Sequence, residues 1–334
     1  MKNIYEINYQ SILSNSDTQI AIKFLKTTFE KYISKKLDLL RVSAPLFVSA
    51  KSGLNDGLSG KERAISFLVK DTNEEVEIVH SLAKWKRYAL GKYNIPLLKG
   101  IYTDMNAIRK EEKLDFIHSI YVDQWDWEIH IDDSKRKYAF LKKIVRDIYT
   151  CIYKTSLAIE KRYPLLKNYL DKDIYFISTI ELEKRYPNLS RKEREEKICQ
   201  EHHAVFLYQI GYPLKDNLPH DSRAADYDDW KLNGDILIYY PLFDTSIELS
   251  SMGIRVNKDS LVAQLKYKNE LDKLDNDYCK AILNDTIPLS IGGGIGQSRL
   301  SMVLLQKAHI GEVQASIWSE EEINKLKENN IYLL

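Results

Sequence analysis

The stretch "LSIGGGIGQSRL", Leu289 to Leu300, places four of the chain's thirteen glycines within five positions, and Arg299 follows the last of them by three. Glycines allow a flat or phosphorylated ligand close to the backbone, and a guanidinium is a permanent planar cation that stacks on a base or forks onto phosphate oxygens. The spacing departs from G-x-G-x-x-G because Arg299 stands where the third glycine would be, and no Lys-Ser or Lys-Thr follows to complete a Walker loop. The run therefore fits either a nucleotide-binding loop or a plain turn from a strand into a helix.

Other clusters allow two readings each. In "DYDDW" (226–230), Asp226, Asp228 and Asp229 form either a polar turn or, with Tyr227 and Trp230, a pocket wall. Lys84, Lys86 and Arg87 are either one solvated helix face or a source of cations for an acidic substrate. Asp56 in "GLNDGLSG" (53–60) has the setting of an ordinary turn acid. Trp85, Trp125 and Trp127 suit packing, and His202 and His203 match no ligand spacing. Cys151, Cys199 and Cys279 are scattered without C-x-x-C spacing, which predicts reduced, buried thiols and no zinc site.

These residues need elements to position them. Residues 17–37 predict an amphipathic helix capped by Asp17, with Ile20, Phe24 and Tyr32 on its apolar face. "LDLLRVSAPLFVSA" predicts a strand with Pro45 in its middle, at a sheet edge or subunit contact. "EVEIVHSL" predicts a strand leading into a short helix at "AKWKRYAL". "GIYTDMNAIR" and "HSIYVDQWDWEIHI" predict an antiparallel hairpin around a charged loop, in which Gln124 and Asp126 share a face. Residues 134–162 predict a long helix, and Ser190 with Glu193 a capping box. Strands arrive in runs, so the expected class is α+β, a mainly antiparallel sheet flanked by helices, in one domain over 1–334.

Taken together the blocks carry a resemblance. "GGGIGQSRL" resembles motif 3 of the class II aminoacyl-tRNA synthetase core, Pro45 after a long helix resembles dimer-forming motif 1, and Arg109 with the strand "YVDQWDWE" resembles motif 2. More specifically, "HSLAKWKR", "YVDQWDWE", "DYDDW", "LNGDIL", "ELSSMGIRV" and "IGGGIGQSRL" are similar, in order, to the ammonia-dependent asparagine synthetases, the aspartate–ammonia ligases. The resemblance spans almost the whole chain; the tail after Trp318 carries no motif.

That resemblance implies ATP-dependent synthesis of L-asparagine from L-aspartate and free ammonia through a β-aspartyl adenylate, with release of AMP and pyrophosphate. It implies that Arg109 contacts the α-phosphate and that Gln124 donates to the same oxygens or to the scissile carbonyl. Asp56 would attract ammonium and take its proton, on a loop that also suits a lid. Lys86 and Ser81 would hold a substrate carboxylate, Asp126 and Asp228 the α-ammonium, and Tyr227, Ser250, Ser251 and Arg255 would line the pocket. Gly292, Gly293, Gly294 and Arg299 would bind the nucleotide, and Glu248 and Asp235 would lie beside it and hold Mg2+. The family further implies a homodimer.

Composition narrows the alternatives. Forty-nine Lys plus Arg nearly balance forty-eight Asp plus Glu, which gives no field to recruit nucleic acid or an anionic membrane. No run approaches a membrane span and the first residues lack a leader's apolar core, so a cytoplasmic protein is expected. Position 2 is Lys2, not the cysteine of a glutaminase, so free ammonia is the expected nitrogen donor. A tRNA synthetase would be expected to carry an anticodon module or a basic face, and a dead regulatory module would not keep Arg109, Gln124, Glu248 and Arg299 together.

Overall fold

The computed structural model describes residues 2–58 and 62–334. Its first helix, α1 (Asn15–Leu37), is capped by Ser14, whose hydroxyl accepts from the Asp17 amide at 3.1 Å; Asp17 lies in the first turn and is not the cap. Ala21, Leu25, Phe29, Ile33 and Leu37 recur every four residues and are buried, whereas Ile20 faces outward. The inward stripe thus lies one residue further along than expected. Each buried leucine or phenylalanine contributes about 1.5–3 kcal/mol to docking this helix.

Pro45 separates two short strands, β1 (Leu39–Arg41) and β2 (Phe47–Ser49), and does not lie inside one; it has no N–H to give a ladder. With β3 (Ser66–Val69) and β4 (Glu74–Ile78), β2 forms a small sheet in the order β2-β4-β3. Helix α2 (Ala83–Lys92) leads into the expected hairpin, β5 (Gly100–Ile108) and β6 (Tyr121–Ile131). Helix α3 (Tyr138–Arg162) starts after a short 3-10 turn over Asp133–Lys135 and packs on α1.

Next come β7 (Tyr175–Ser178), α4 (Thr179–Arg185), α5 (Arg191–Glu201) and β8 (Ala204–Tyr208), with the expected capping box at Ser190 and Glu193. A long hairpin follows, β9 (Asp228–Tyr240) and β10 (Thr245–Arg255). Helices α6 (Lys258–Lys268) and α7 (Asp277–Leu283) precede β11 (Leu289–Gly296), α8 (Gln297–Leu304) and α9 (Glu320–Glu328).

Among the described residues the main sheet has eight strands in the order β1-β5-β6-β11-β10-β9-β8-β7. The α+β class holds, but the sheet is mixed, which corrects the mainly antiparallel expectation. Both outermost pairs, β1 with β5 and β7 with β8, are parallel, while the pairs between them are antiparallel. A parallel pair requires a crossover. The small sheet and α2 supply it at one edge, and α4 and α5 at the other.

The sheet's two faces are chemically distinct. On β6, Trp125, Trp127 and Ile129 join the core with α1 and α3, while Gln124, Asp126 and Glu128 project from the opposite face. On β10 the core residues are Ile247 and Leu249, then Met252 and Ile254. The change of parity coincides with a bulge between Glu248 and Ser250. That extra residue brings Glu248 and Ser251 to the same face although they are three apart.

Candidate active site

The polar face opens into a cleft of about 340 Å³ between α2, β6, β10, β11 and α8. The volume falls within the range of small-molecule sites. Most expected site residues converge here, from Asp56 and Ser81 to Arg299. Gly292 and Asp235 are the two that do not line it.

The glycine run is not a loop. It is strand β11, with no glycine of the run at positive φ. Its glycines are needed for what lies across them: a β-carbon at Gly292 would meet Glu128 Oε2 at 1.8 Å, and one at Gly294 would meet Gln124 Oε1 at 2.3 Å and Asp126 Oδ1 at 2.6 Å. The strand is bare on this face so that the polar row of β6 can lie over it.

At the base of the cleft, Arg255 is held by two acids. It donates to Glu128 through Nε at 2.8 Å and Nη2 at 2.6 Å, and to Asp228 through Nη1 at 2.5 Å. Ser290 adds a bond to Glu128 at 2.6 Å. Burial raises the Asp228 pKa even against the pull of Arg255. Arg255 is thus a neutralised anchor that fixes Asp228, and Tyr227 lies with its ring centroid 5.8 Å from the guanidinium.

Helix α2 staples the site together with three buried cations. Lys84 pairs with Asp226 at 2.7 Å, and Arg87 donates to the carbonyls of Pro288 and Val256. Lys86 lies 3.2 Å from Asp126 Oδ2 and donates to the Gly293 carbonyl at 2.9 Å. The solvated-face reading of Lys84, Lys86 and Arg87 is therefore overturned. "DYDDW" likewise is no simple turn: its acids each hold a different cation, Asp229 taking Arg136. Asp126 Oδ1 is buried without a hydrogen-bond partner beside the cleft.

Burial lowers the Lys86 pKa, and Asp126 opposes that shift. If Lys86 must be a cation to hold a substrate carboxylate, KM for aspartate should rise on the alkaline side below pH 10.5, the free lysine value. An alkaline limb set only by a group titrating above that value, read from a pH series of KM, would remove Lys86 from this role.

In the cleft lining the buried Asp56 carboxylate accepts from Ser81 Oγ at 2.7 Å and from the Leu58 amide at 2.8 Å. Ser81 therefore engages Asp56 directly. The neighbouring His80 carbonyl accepts Arg109 Nε and Nη2, each at 3.3 Å. A guanidinium has five N–H donors, and these bonds use two of them. The end of the expected lid, Ser59 and Gly60, lies outside the described residues.

On the opposite wall, Arg299 Nη1 donates to the Glu248 carbonyl at 3.1 Å and lies 3.8 Å from its carboxylate. Ser250 Oγ donates to the Gly294 carbonyl at 2.8 Å, and Ser251 lines the cleft. Asp235 sits behind this wall with Oδ2 on Arg223 Nη2 at 2.5 Å, and burial holds its pKa well above the usual carboxylate range despite that partner. His202 and His203 stack on Tyr175 and Tyr239, and the three cysteines are buried and free, as expected.

Sequence reasoning missed three contributors. Glu128 continues the period-two row from Gln124 and Asp126, a signal present in "YVDQWDWE". Arg223 lies close upstream of "DYDDW" and lines the cleft, but nothing in its spacing marks it. Asp123 accepts from the Ser298 amide at 3.0 Å and so caps α8 from another strand; such a cap has no local signature.

This architecture is shared with class II aminoacyl-tRNA synthetases. The chain is similar to an Entamoeba histolytica asparaginyl-tRNA synthetase in complex with asparaginyl-adenylate, with a TM-score of 0.67 at 14% identity, over 90% of this chain and 66% of that one. It is also similar to the Pyrococcus horikoshii asparaginyl-tRNA synthetase complexed with asparaginyl-adenylate, with a TM-score of 0.66 at 16% identity, over 91% and 70%. At these identities the likeness concerns the fold.

Sequence similarity identifies the family. The model of the aspartate-ammonia ligase family matches residues 16–330. Aspartate–ammonia ligases of Bacillus cytotoxicus (54% identical, 97% of this chain and 99% of that one) and Clostridium perfringens (53%, 98% and 98%) are among its relatives. The chain belongs to the aspartate–ammonia ligase family and is an enzyme of that class.

Proposed function

We propose that this enzyme makes L-asparagine from L-aspartate, ammonia and ATP through a β-aspartyl adenylate, releasing AMP and pyrophosphate. The observation that carries this reading is the convergence of Arg109, Gln124, Glu248 and Arg299 on one cleft of a ligase-family chain. The synthetases of like fold whose structures hold an asparaginyl-adenylate support it further.

In this reading Lys86 takes a carboxylate of aspartate, and Asp126 Oδ1 and Asp228 take its α-ammonium. Gln124 and Arg109 orient the β-carboxylate and the α-phosphate, and Arg109 stabilises the charge that grows as they join. Asp56, aimed by Ser81, receives the ammonium proton. The nucleotide lies along β11 under Arg299.

The donor set fits magnesium. Glu248 offers a hard carboxylate at the cleft, and Asp235 Oδ1 is buried without a hydrogen-bond partner. Glu248 and Asp235 would hold the ion, which supplies positive charge against the phosphates. We further propose one catalytic domain over 1–334 and a cytoplasmic homodimer without nucleic-acid or membrane partners; no helix among the described residues is long and apolar enough to cross a membrane.

The deciding assay supplies ATP, magnesium and aspartate with ammonium or glutamine and follows AMP, pyrophosphate and asparagine. Release of ADP would refute the adenylate, and aspartate-dependent charging of tRNA would favour a synthetase instead. Arg299→Ala should raise KM for ATP about tenfold or more while leaving aspartate binding within a few-fold, the loss of one charge-assisted contact. An unchanged KM for ATP would reassign Arg299.

A further inference from the structure

Among the described residues, Arg223 is the arginine or lysine of the cleft that has no role so far. It stands on the wall beside Glu248, in front of Asp235, and just outside the blocks that carry the family resemblance. Nη2 donates to Asp235 Oδ2 at 2.5 Å and Nη1 to Asp221 Oδ2 at 2.5 Å, while Nε is buried without a hydrogen-bond partner. Its two carboxylate partners differ sharply. The Asp235 side chain is 5% exposed and that of Asp221 is 58% exposed.

A buried carboxylate fixes the guanidinium plane, whereas a solvated one is easily exchanged for another anion. The fork of a guanidinium also matches phosphate oxygens in pairs. Arg223 is therefore oriented by Asp235 and free to trade Asp221 for a polyanion entering the cleft. Asp221 and Glu248 would repel a triphosphate, and among the described residues of this wall Arg223 and Arg299 are the side chains that offset them.

We propose that Arg223 binds the β- and γ-phosphates of the nucleotide and stabilises the departing pyrophosphate. The assignment rests on the adenylate-forming reading above. As a β-carboxylate oxygen of aspartate bonds to the α-phosphorus, the bond from that phosphorus to the oxygen bridging to the β-phosphorus breaks. Pyrophosphate leaves with the electron pair, and the negative charge it gains faces Arg223. Arg109 serves the reacting phosphorus, and Arg223 the leaving group.

The test separates the two parts of the nucleotide. The unaltered protein, Arg223→Ala and Arg223→Lys are titrated in EDTA with inorganic pyrophosphate and, separately, with AMP. Arg223→Ala should bind pyrophosphate about 10- to 100-fold more weakly, the loss of one or two charge-assisted bonds, and AMP within about twofold. Arg223→Lys should recover part of the loss. Asp221→Asn, a change at an exposed side chain, should tighten pyrophosphate binding by removing its competitor.

Pyrophosphate binding unchanged in Arg223→Ala, equal losses for pyrophosphate and AMP, or weaker pyrophosphate binding in Asp221→Asn would each overturn the assignment. Product analysis of the unaltered enzyme tells this failure from a broader one. Release of ADP and phosphate refutes adenylate formation itself, whereas AMP and pyrophosphate release with an indifferent Arg223 refutes only the role given to this residue.

Discussion

Arg109→Ala should lose adenylation itself, with aspartate-dependent exchange of pyrophosphate into ATP falling about 100-fold or more. Charge grows on the α-phosphate oxygens as the carboxylate attacks, and one well-aimed donor is worth about 3 kcal/mol there. The structure allows the loss to be read as chemistry. Arg109 is half-buried and its two 3.3 Å bonds go to one carbonyl, so removing it strands no buried charge. Stability should change by no more than about 0.5–1 kcal/mol, checked by thermal melting. Exchange retained within threefold of the parent would end this assignment.

The sequence revealed most where the period of a strand and the chemistry of its side chains coincided. Alternation in "YVDQWDWE" placed Gln124 and Asp126 on one face and the tryptophans on the other, as found. The glycines of β11 were recognised as functional for an incomplete reason. They clear space for the side chains of β6, a requirement that arises only when Gly292 pairs with Glu128 and Gly294 with Asp126.

What remained hidden was non-local. The bulge in β10 reverses which residues face the cleft, yet it shows only as a shift of register against β9. The parallel edges depend on crossovers closing over long stretches of chain, and the Asp123 cap on α8 joins residues distant in sequence. The burial of Lys84, Lys86 and Arg87 had no local sign because their partners, Asp226, Asp126 and the carbonyls of Pro288 and Val256, come from four other parts of the chain.

The second large effect divides the reaction. Asp56→Asn should still exchange pyrophosphate into ATP at close to the parental rate, while asparagine synthesis falls about 100- to 10,000-fold, the usual scale for a general base. The substitution is nearly isosteric. The carbonyl oxygen of the substituted side chain can keep the bond from the Leu58 amide, and the Ser81 hydroxyl can turn from donor to acceptor, so the carboxylate charge is the main loss. A purely structural role for Asp56 would instead depress exchange and synthesis together, because the same loop meets His80, whose carbonyl holds Arg109. Raising ammonium should not restore the parental rate if the missing step is proton removal, and should restore it if Asp56 only concentrates the cation. Full synthesis by Asp56→Asn would show that another group accepts the proton. Ser81→Ala then offers a graded check: without its guide, Asp56 keeps its charge and loses its aim, so synthesis should fall less than in Asp56→Asn while exchange is preserved.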